Sequence, residues 1–361
     1  MITKLDDLLE LVKSKEKKNL VAAYANDSHT IGAVSAAVDK GIVNATLVGD
    51  IETIKKICAE EGINPDKFEL VQEANDNKAG ALAVRLINEG KGDFLMKGLL
   101  STDKYMRAIL NKETGLMPGK KNDMLTHMAV MEVPAYHKLL VCSDMAIIPA
   151  PDFKQKTAIM NFLIQVSKSL QNPKPKVAVL AATEQVSIGM PACAEAAWLG
   201  MQSLRGQIPG AVVDGPLSLD CAIDKESAQT KKLTSEVAGD ADCLLFPNIE
   251  SGNIFYKACT KFAHAELACM VMGARVPCVL TSRGDSAKTK KLTSEVAGDA
   301  DCLLFPNIES GNIFYKACTK FAHAELACMV MGARVPCVLT SRGDSAKTKL
   351  YSIALAALQC K

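Results

Sequence analysis

The chain has 361 residues, 48% of them hydrophobic, which is enough apolar material for a sizeable core and excludes a disordered or fibrous protein. Lys and Arg number 42 against 40 Asp and Glu, a net charge of +2, so no global field directs the chain to nucleic acid or an anionic membrane; a phosphorylated ligand needs a local cationic site. No apolar run approaches the ~20 residues of a membrane span, residues 1–7 turn acidic without a signal core, and the 13 cysteines form no C-x-x-C pair, so a reduced, cytoplasmic protein with buried thiols is expected.

In chain order, short β-branched or apolar runs alternate with amphipathic stretches, the rhythm of βαβ units and a largely parallel sheet. Residues 20–24 predict a strand, 30–40 a helix and 45–49 a second strand. Further strands are expected at 94–96, 139–142, 177–180 and 243–246. The stretch 172–176 carries two prolines and predicts a surface turn. D-G-P-L-S-L-D at 214–220 predicts a rigid turn with two carboxylates, either structural or lining a cleft. At the far end, apolar positions 350, 353, 354, 355 and 358 predict a core-facing helix.

One feature lies outside this rhythm: residues 230–290 recur letter for letter as 289–349, a shift of 59. Ordinary repeat proteins keep structural positions and let exposed ones drift, whereas here every Lys, Thr and Ser is also the same. Packing does not dictate such identity, so the segment is read as one unit written twice. Without one copy, 302 residues remain.

Candidate chemistry sits where predicted strands end, the place at which open α/β sheets hold their ligands. Lys97-Gly98-Leu99-Leu100-Ser101-Thr102 precedes a helix carrying Arg107, and the N–H groups of a helix start suit an anion, although an ordinary capped helix fits the same letters. Asn253 and Lys257 stand in P-N-I-E-S-G-N-I-F-Y-K, and Asn312 and Lys316 in its second copy. V-P-C-V-L-T-S-R-G-D-S, at 276–286 and again at 335–345, places an arginine beside a hydroxyl at a strand-to-helix turn, which suits an acyl-phosphate oxyanion or a surface ion pair. His127 fits a packed core or a cleft. Neither G-x-G-x-x-G nor G-x-x-x-x-G-K-[ST] occurs, and the five histidines lack metal-ligand spacing, so a dinucleotide site, a P-loop and a metal centre are all unsupported.

Taken in order, K-G-x-x-[ST]-T, the run T-H-M-A-V-M-E-V-P-A-Y-H-K-L-L-V-C-S-D-M-A-I at 126–147, D-G-P-L-S-L-D, P-N-I-E-S-G-N-I-F-Y-K and S-R-G-D-S-A-K-T-K resemble the phosphate acetyltransferase and butyryltransferase family over essentially the whole non-repeated chain. The T-H-M and S-R-G-D-S forms resemble the butyryl branch more closely. The resemblance implies an α/β fold of two domains with mostly parallel sheets flanked by helices and an active cleft between them, similar to isocitrate and isopropylmalate dehydrogenases. Domain I is expected at 1–142 plus 335–361 and domain II at 143–274, with one repeat copy as an insert.

The reaction implied is butanoyl-CoA plus phosphate giving butanoyl phosphate plus CoA. Coenzyme A and acyl phosphate or phosphate are its partners, with no metal, no cofactor beyond coenzyme A as substrate, and a homo-oligomeric protein. A phosphate acetyltransferase and a catalytically impaired relative are the alternatives. Ser341, Arg342 and Asp344 are the catalytic candidates, with Lys97, Thr102, Arg107, His127, Asn312 and Lys316 binding substrate; Ser282, Arg283, Asn253 and Lys257 are the first-copy alternatives. The second copy is preferred because only it runs on into the apolar helix after 349. The acetyl branch has an aspartate seven residues beyond the S-R-G serine where this chain has Thr348, or Thr289 in the first copy, so Asp344 or a water is assigned the thiol proton.

Overall fold

The computed structural model describes residues 1–119, 123–280, 300–333, 335, 337–340 and 346–359. They form two compact units, Lys4–Ala129 with Ala268–Leu304, and Met1–Thr3 with Val130–Leu267 and Phe305–Lys361. Both are of mixed α/β type, with mostly parallel strands flanked by helices.

The first unit alternates α1 (Leu5–Lys13), β1 (Lys18–Ala23), α2 (Ser28–Asp39), β2 (Val43–Gly49), α3 (Ile51–Glu60), β3 (Glu69–Gln72), α4 (Asp76–Asn88), β4 (Phe94–Lys97) and α5 (Thr102–Leu110). Each helix after α1 starts where a short polar side chain accepts a free N–H. Asp27 caps α2 through Thr30, Asp50 caps α3 through Thr53, Asn75 caps α4 through Asn77 and Lys78, and Ser101 caps α5 through Lys104. The strands are covered on both faces, which explains runs such as Leu20–Ala23 that are buried throughout. Their core joins Leu20, Ala22 and Leu47 to Ile31 and Val34 of α2 and Ile54 and Cys58 of α3. The next strand, β5 (Thr126–Glu132), has residues in both units.

The second unit continues with β6 (Leu140–Ser143), α6 (Phe153–Ser169), β7 (Lys176–Leu180), α7 (Pro191–Leu204), β8 (Val212–Leu217), α8 (Leu219–Ile223), α9 (Lys225–Thr230), β9 (Cys243–Leu245) and α10 (Ile249–Phe262). Its strands stand in the order β6-β9-β7-β8, parallel throughout. Part of the segment expected as a rigid turn at 214–220 is instead edge strand β8. An edge tolerates Pro216, whose missing N–H faces no neighbouring strand. Gly215 is needed there, because a Cβ would stand 2.9 Å from the Val179 carbonyl oxygen.

The repeated segment supplies β10 (Glu266–Met272) and β11 (Cys278–Val279) from its first copy, and α11 (Ile308–Phe321), β12 (Met329–Val330) and β13 (Cys337–Val338) from its second, before α12 (Ala346–Leu358). In the first unit the order is β3-β2-β1-β4-β11-β10, with β11 parallel to β4 (Cys278 opposite Leu95, Val279 opposite Met96). The sequence reading grouped 335–361 with the N-terminal residues. In the structure that part of the sheet is filled by the first copy, and β12 and β13 pair only with each other.

The stripe on α12 does not face a core. Leu350, Ile353 and Leu358 are exposed, and the buried positions are Thr348, Ser352 and Ala356. The helix packs on β12 and β13, a two-stranded surface too small to cover its apolar face.

Candidate active site

In the first unit, the parallel register places Lys97 of β4 one residue beyond the Val279–Met96 pair, level with Leu280. The Lys97–Ser101 connection therefore leaves the sheet level with Leu280, the residue after β11. Gly98 packs against the end of β1: a Cβ there would come 2.3 Å from the Tyr24 carbonyl oxygen, and its N–H donates to Ala23 O at 3.0 Å. The buried Lys97 ammonium donates to Gly98 O at 3.1 Å and Leu100 O at 3.2 Å, turning the loop around a positive charge.

On α5 the buried Tyr105 and Ile109 fix the inner face. The Tyr105 hydroxyl reaches Leu95 O at 3.2 Å and Val279 O at 3.1 Å, tying the helix to β4 and to the first-copy strand. Thr102 and Arg107 are exposed; Arg107 is held toward Asp103 by an Nη2–Oδ2 contact of 2.8 Å. First-copy Arg275 anchors the same unit, donating to Asn88 Oδ1 at 2.6 Å and Gly115 O at 2.9 Å. His127 is carried by β5 with its side chain buried.

In the second unit, β6 delivers Asp144 to a tight loop in which its buried carboxylate accepts the N–H groups of Ala146 (2.7 Å), Ile147 (3.0 Å) and Ile148 (3.2 Å). The start of α10 sits against this loop. Asn248 caps the helix, accepting from Ser251 N at 2.9 Å, and a Cβ on Gly252 would fall 2.2 Å from Asp144 O. Asn253 Nδ2 donates to Met145 O at 3.2 Å, and the Lys257 ammonium lies 4.2 Å from the centroid of the Tyr256 ring.

The second-copy candidates are placed differently. Gly311, the counterpart of Gly252, faces Phe305 rather than the Asp144 loop. Asn312 Oδ1 is buried with no hydrogen-bond partner. Lys316 is buried and its ammonium lies 3.1 Å from Asp220 Oδ2. Ser341, Arg342 and Asp344, like Ser282 and Arg283, lie outside the described residues.

Glu184 and Lys231, which sequence reasoning did not single out, join the buried Ser218, Asp220 and Lys316 in a largely buried network. Lys231 Nζ donates to Glu184 Oε1 at 2.7 Å and Ser218 Oγ at 2.9 Å, and stands 3.3 Å from Asp220 Oδ1. Burial alone would raise the Asp220 carboxyl; Lys316, the Ser218 hydroxyl and Lys231 together hold it below its ordinary value. Glu184, Asp220 and Cys221 come close enough to hold a cation, but two ammonium groups already neutralise the carboxylates and burial pushes the Cys221 thiol up to about 11. The group is an ion-pair network, and only spatial neighbours reveal it. Among the described residues no helix is long and apolar enough to cross a membrane.

The chain matches the family described as Phosphate acetyl/butaryl transferase over residues 4–83, 68–291 and 285–357; the longest match runs through the first copy. It is 42% identical over 303 residues to the phosphate butyryltransferase of Clostridium acetobutylicum, covering 83% of this chain and 100% of that protein; the unmatched part is close in length to one repeat. It is 40% identical over 289 residues to the phosphate acetyltransferase of Thermotoga maritima (79% of this chain, 96% of that one). Among solved structures, a branched-chain phosphotransacylase from Enterococcus faecalis superposes with a TM-score of 0.64 at 26% identity, over 85% of this chain and 99% of that one. With these matches spanning most of its length, the chain belongs to the phosphate acetyl/butyryl transferase family of acyltransferases.

Proposed function

We propose that the chain catalyses butanoyl-CoA + phosphate = butanoyl phosphate + CoA, with coenzyme A as substrate and no further cofactor, in the cytoplasm. The observation that carries this reading is the match to a phosphate butyryltransferase over that protein's whole length. Toward the thioester, the coenzyme A thiol gives up its proton and its sulfur attacks the acyl carbonyl. A carbon–sulfur bond forms, the bond from carbon to phosphate oxygen breaks, and inorganic phosphate leaves. Such a site needs a cation for the phosphate, donors for the oxyanion and an acceptor for the thiol proton.

The placement of β11 favours the first copy for these roles. Ser282 and Arg283 follow Leu280 by two and three residues, and Leu280 stands level with Lys97 in the sheet. In this reading Arg283 and Arg107 hold the phosphate, Ser282 orients the thiol, and Asp285, the first-copy counterpart of Asp344, takes its proton. Lys97 and Thr102 shape the phosphate side, and His127 lines the acyl group.

Thioester formation from butanoyl phosphate and coenzyme A tests the reaction, and Arg283→Ala against Arg342→Ala tests the copy. Arg283→Ala is expected to lose about 10²–10³ in kcat, the usual cost of one transition-state donor, while Arg342→Ala stays within about twofold of the parent. The reverse pattern assigns the site to the second copy. The Thermotoga relative supports a second reading, phosphate acetyltransferase; faster turnover of acetyl phosphate than of butanoyl phosphate would select it.

A further inference from the structure

Helices α10 and α11 have the same sequence and pack against each other in the second unit. With the shift of 59, Phe255 corresponds to Phe314 and Phe262 to Phe321. The ring contacts are Phe255 with Phe321 (6.2 Å, 63°) and Phe262 with Phe314 (6.2 Å, 76°). Each residue of one helix meets the counterpart of its partner's contact on the other. Cys259 and its own counterpart Cys318 are neighbours between the two ring pairs. Such exchange of i with j and j with i, about a position that meets itself, marks a contact made by one surface patch with a copy of itself around a two-fold axis.

The rest of the contact is equally specific. Ile313, Lys316, Ala317 and Phe321 are the buried stripe of α11. Lys316 pairs with Asp220 on α8 at 3.1 Å and Lys320 with Asp224 at 2.8 Å, while Phe321 sets its edge on Tyr136 at 6.2 Å. Asp220, Asp224 and Tyr136 precede the repeat and occur once, so α11 binds a surface that was complete before the second copy began.

We propose that the face formed by α8 and α10 is a self-association surface whose occupant is built into the chain: α11 takes the place of α10 from a second molecule. The intact chain therefore does not pair through this face, and a chain whose α11 is displaced pairs through it, the Lys257 and Lys261 of each molecule meeting the Asp220 and Asp224 of the other.

Light scattering on the full-length chain at micromolar concentration tests this. Lys316→Asp with Lys320→Asp sets carboxylates against Asp220 and Asp224, expels α11 and leaves every α8 and α10 residue unchanged. The expected molar mass is twice that of the parent chain, and adding Phe262→Asp returns it to the parent value. A charge-reversed chain that keeps the parental melting transition and the parental mass overturns the proposal. Phe262 is 55% exposed, so Phe262→Asp in the otherwise intact chain is compatible with folding and gives a second reading. Its mass is expected to stay that of the parent; a fall to half shows that the α10 face was already pairing between molecules and also overturns the proposal.

Discussion

Leu245 and Leu304 occupy the same place in the repeated segment, yet Leu245 is wholly buried and Leu304 is 100% exposed. The first belongs to β9, between β6 and β7; the second is in no strand. Asp242 is buried against Lys138 at 2.6 Å, and its counterpart Asp301 is exposed. Leu280 is 5% exposed where Leu339 is 62%. Local structure nevertheless agrees between the copies. Asn248 and Asn307 cap their helices alike, His264 and His323 share a left-handed φ (52° and 51°), and the two-residue pairs β10–β11 and β12–β13 have the same register. Sheet membership, which short-range preference does not control, separates the copies.

That comparison is broken first by paired substitutions in the core. Leu245→Ala removes a fully buried side chain and is expected to cost about 4 kcal/mol, whereas Leu304→Ala changes stability by under about 0.5 kcal/mol, both read by denaturant unfolding. Equal effects would mean that both copies occupy the same slot in different molecules. Glycine gives a test with opposite signs. Gly252→Ala drives a Cβ into the Asp144 carbonyl and is expected to cost about 3 kcal/mol, while Gly311→Ala, with nothing nearer than Phe305 at 3.6 Å, gains about 0.5–1 kcal/mol from helix propensity.

The ion pairs of α11 respond to acid. Asp220 and Asp224 have folded values below the ordinary 3.8, so their contribution is complete above that value and is lost as pH falls through the lower folded one. Lys316→Met is expected to cost about 3 kcal/mol at neutral pH, the lower end for breaking a buried pair because Lys231 still faces Asp220, and to move the acid transition to higher pH. An unchanged acid midpoint would detach α11 from Asp220.

The smallest effect is chemical. Cys278 is buried, and burial pushes its thiol up to about 12, whereas Cys337 is exposed. Both copies release the same tryptic peptide, so each site is read after replacing the other with serine. Under native conditions the Cys278→Ser chain is expected to be alkylated in that peptide within minutes, and the Cys337→Ser chain to be protected. Reversal would place β13 beside β4.

One strand-to-helix connection of the candidate site was legible in one dimension. Gly98, Ser101 and Thr102 follow a short apolar run, and the structure puts them at the C-terminal end of β4, as βαβ rhythm requires. Glu184 and Lys231 were not legible, because 47 residues separate two groups that meet at 2.7 Å. Asp144 was hidden in an apolar run, its role set by three backbone N–H groups that only a folded loop turns toward it.

The sequence by itself determined the βαβ rhythm, several of its strands and helices, and the family, because these depend on short-range dihedral preference and motif order. It also specified that α10 and α11 fold alike. Tertiary structure alone decided which copy enters the sheet beside β4. That place requires a backbone partner and a covered face at once, and two identical strands cannot both have it. The copy left out keeps its helix, because hydrogen bonds within a helix need no neighbour, and loses its β9 strand, because those of a sheet do. The stripe on α12 was read as core-facing on the premise that the second copy entered the sheet. Its outward face follows from the first copy having done so.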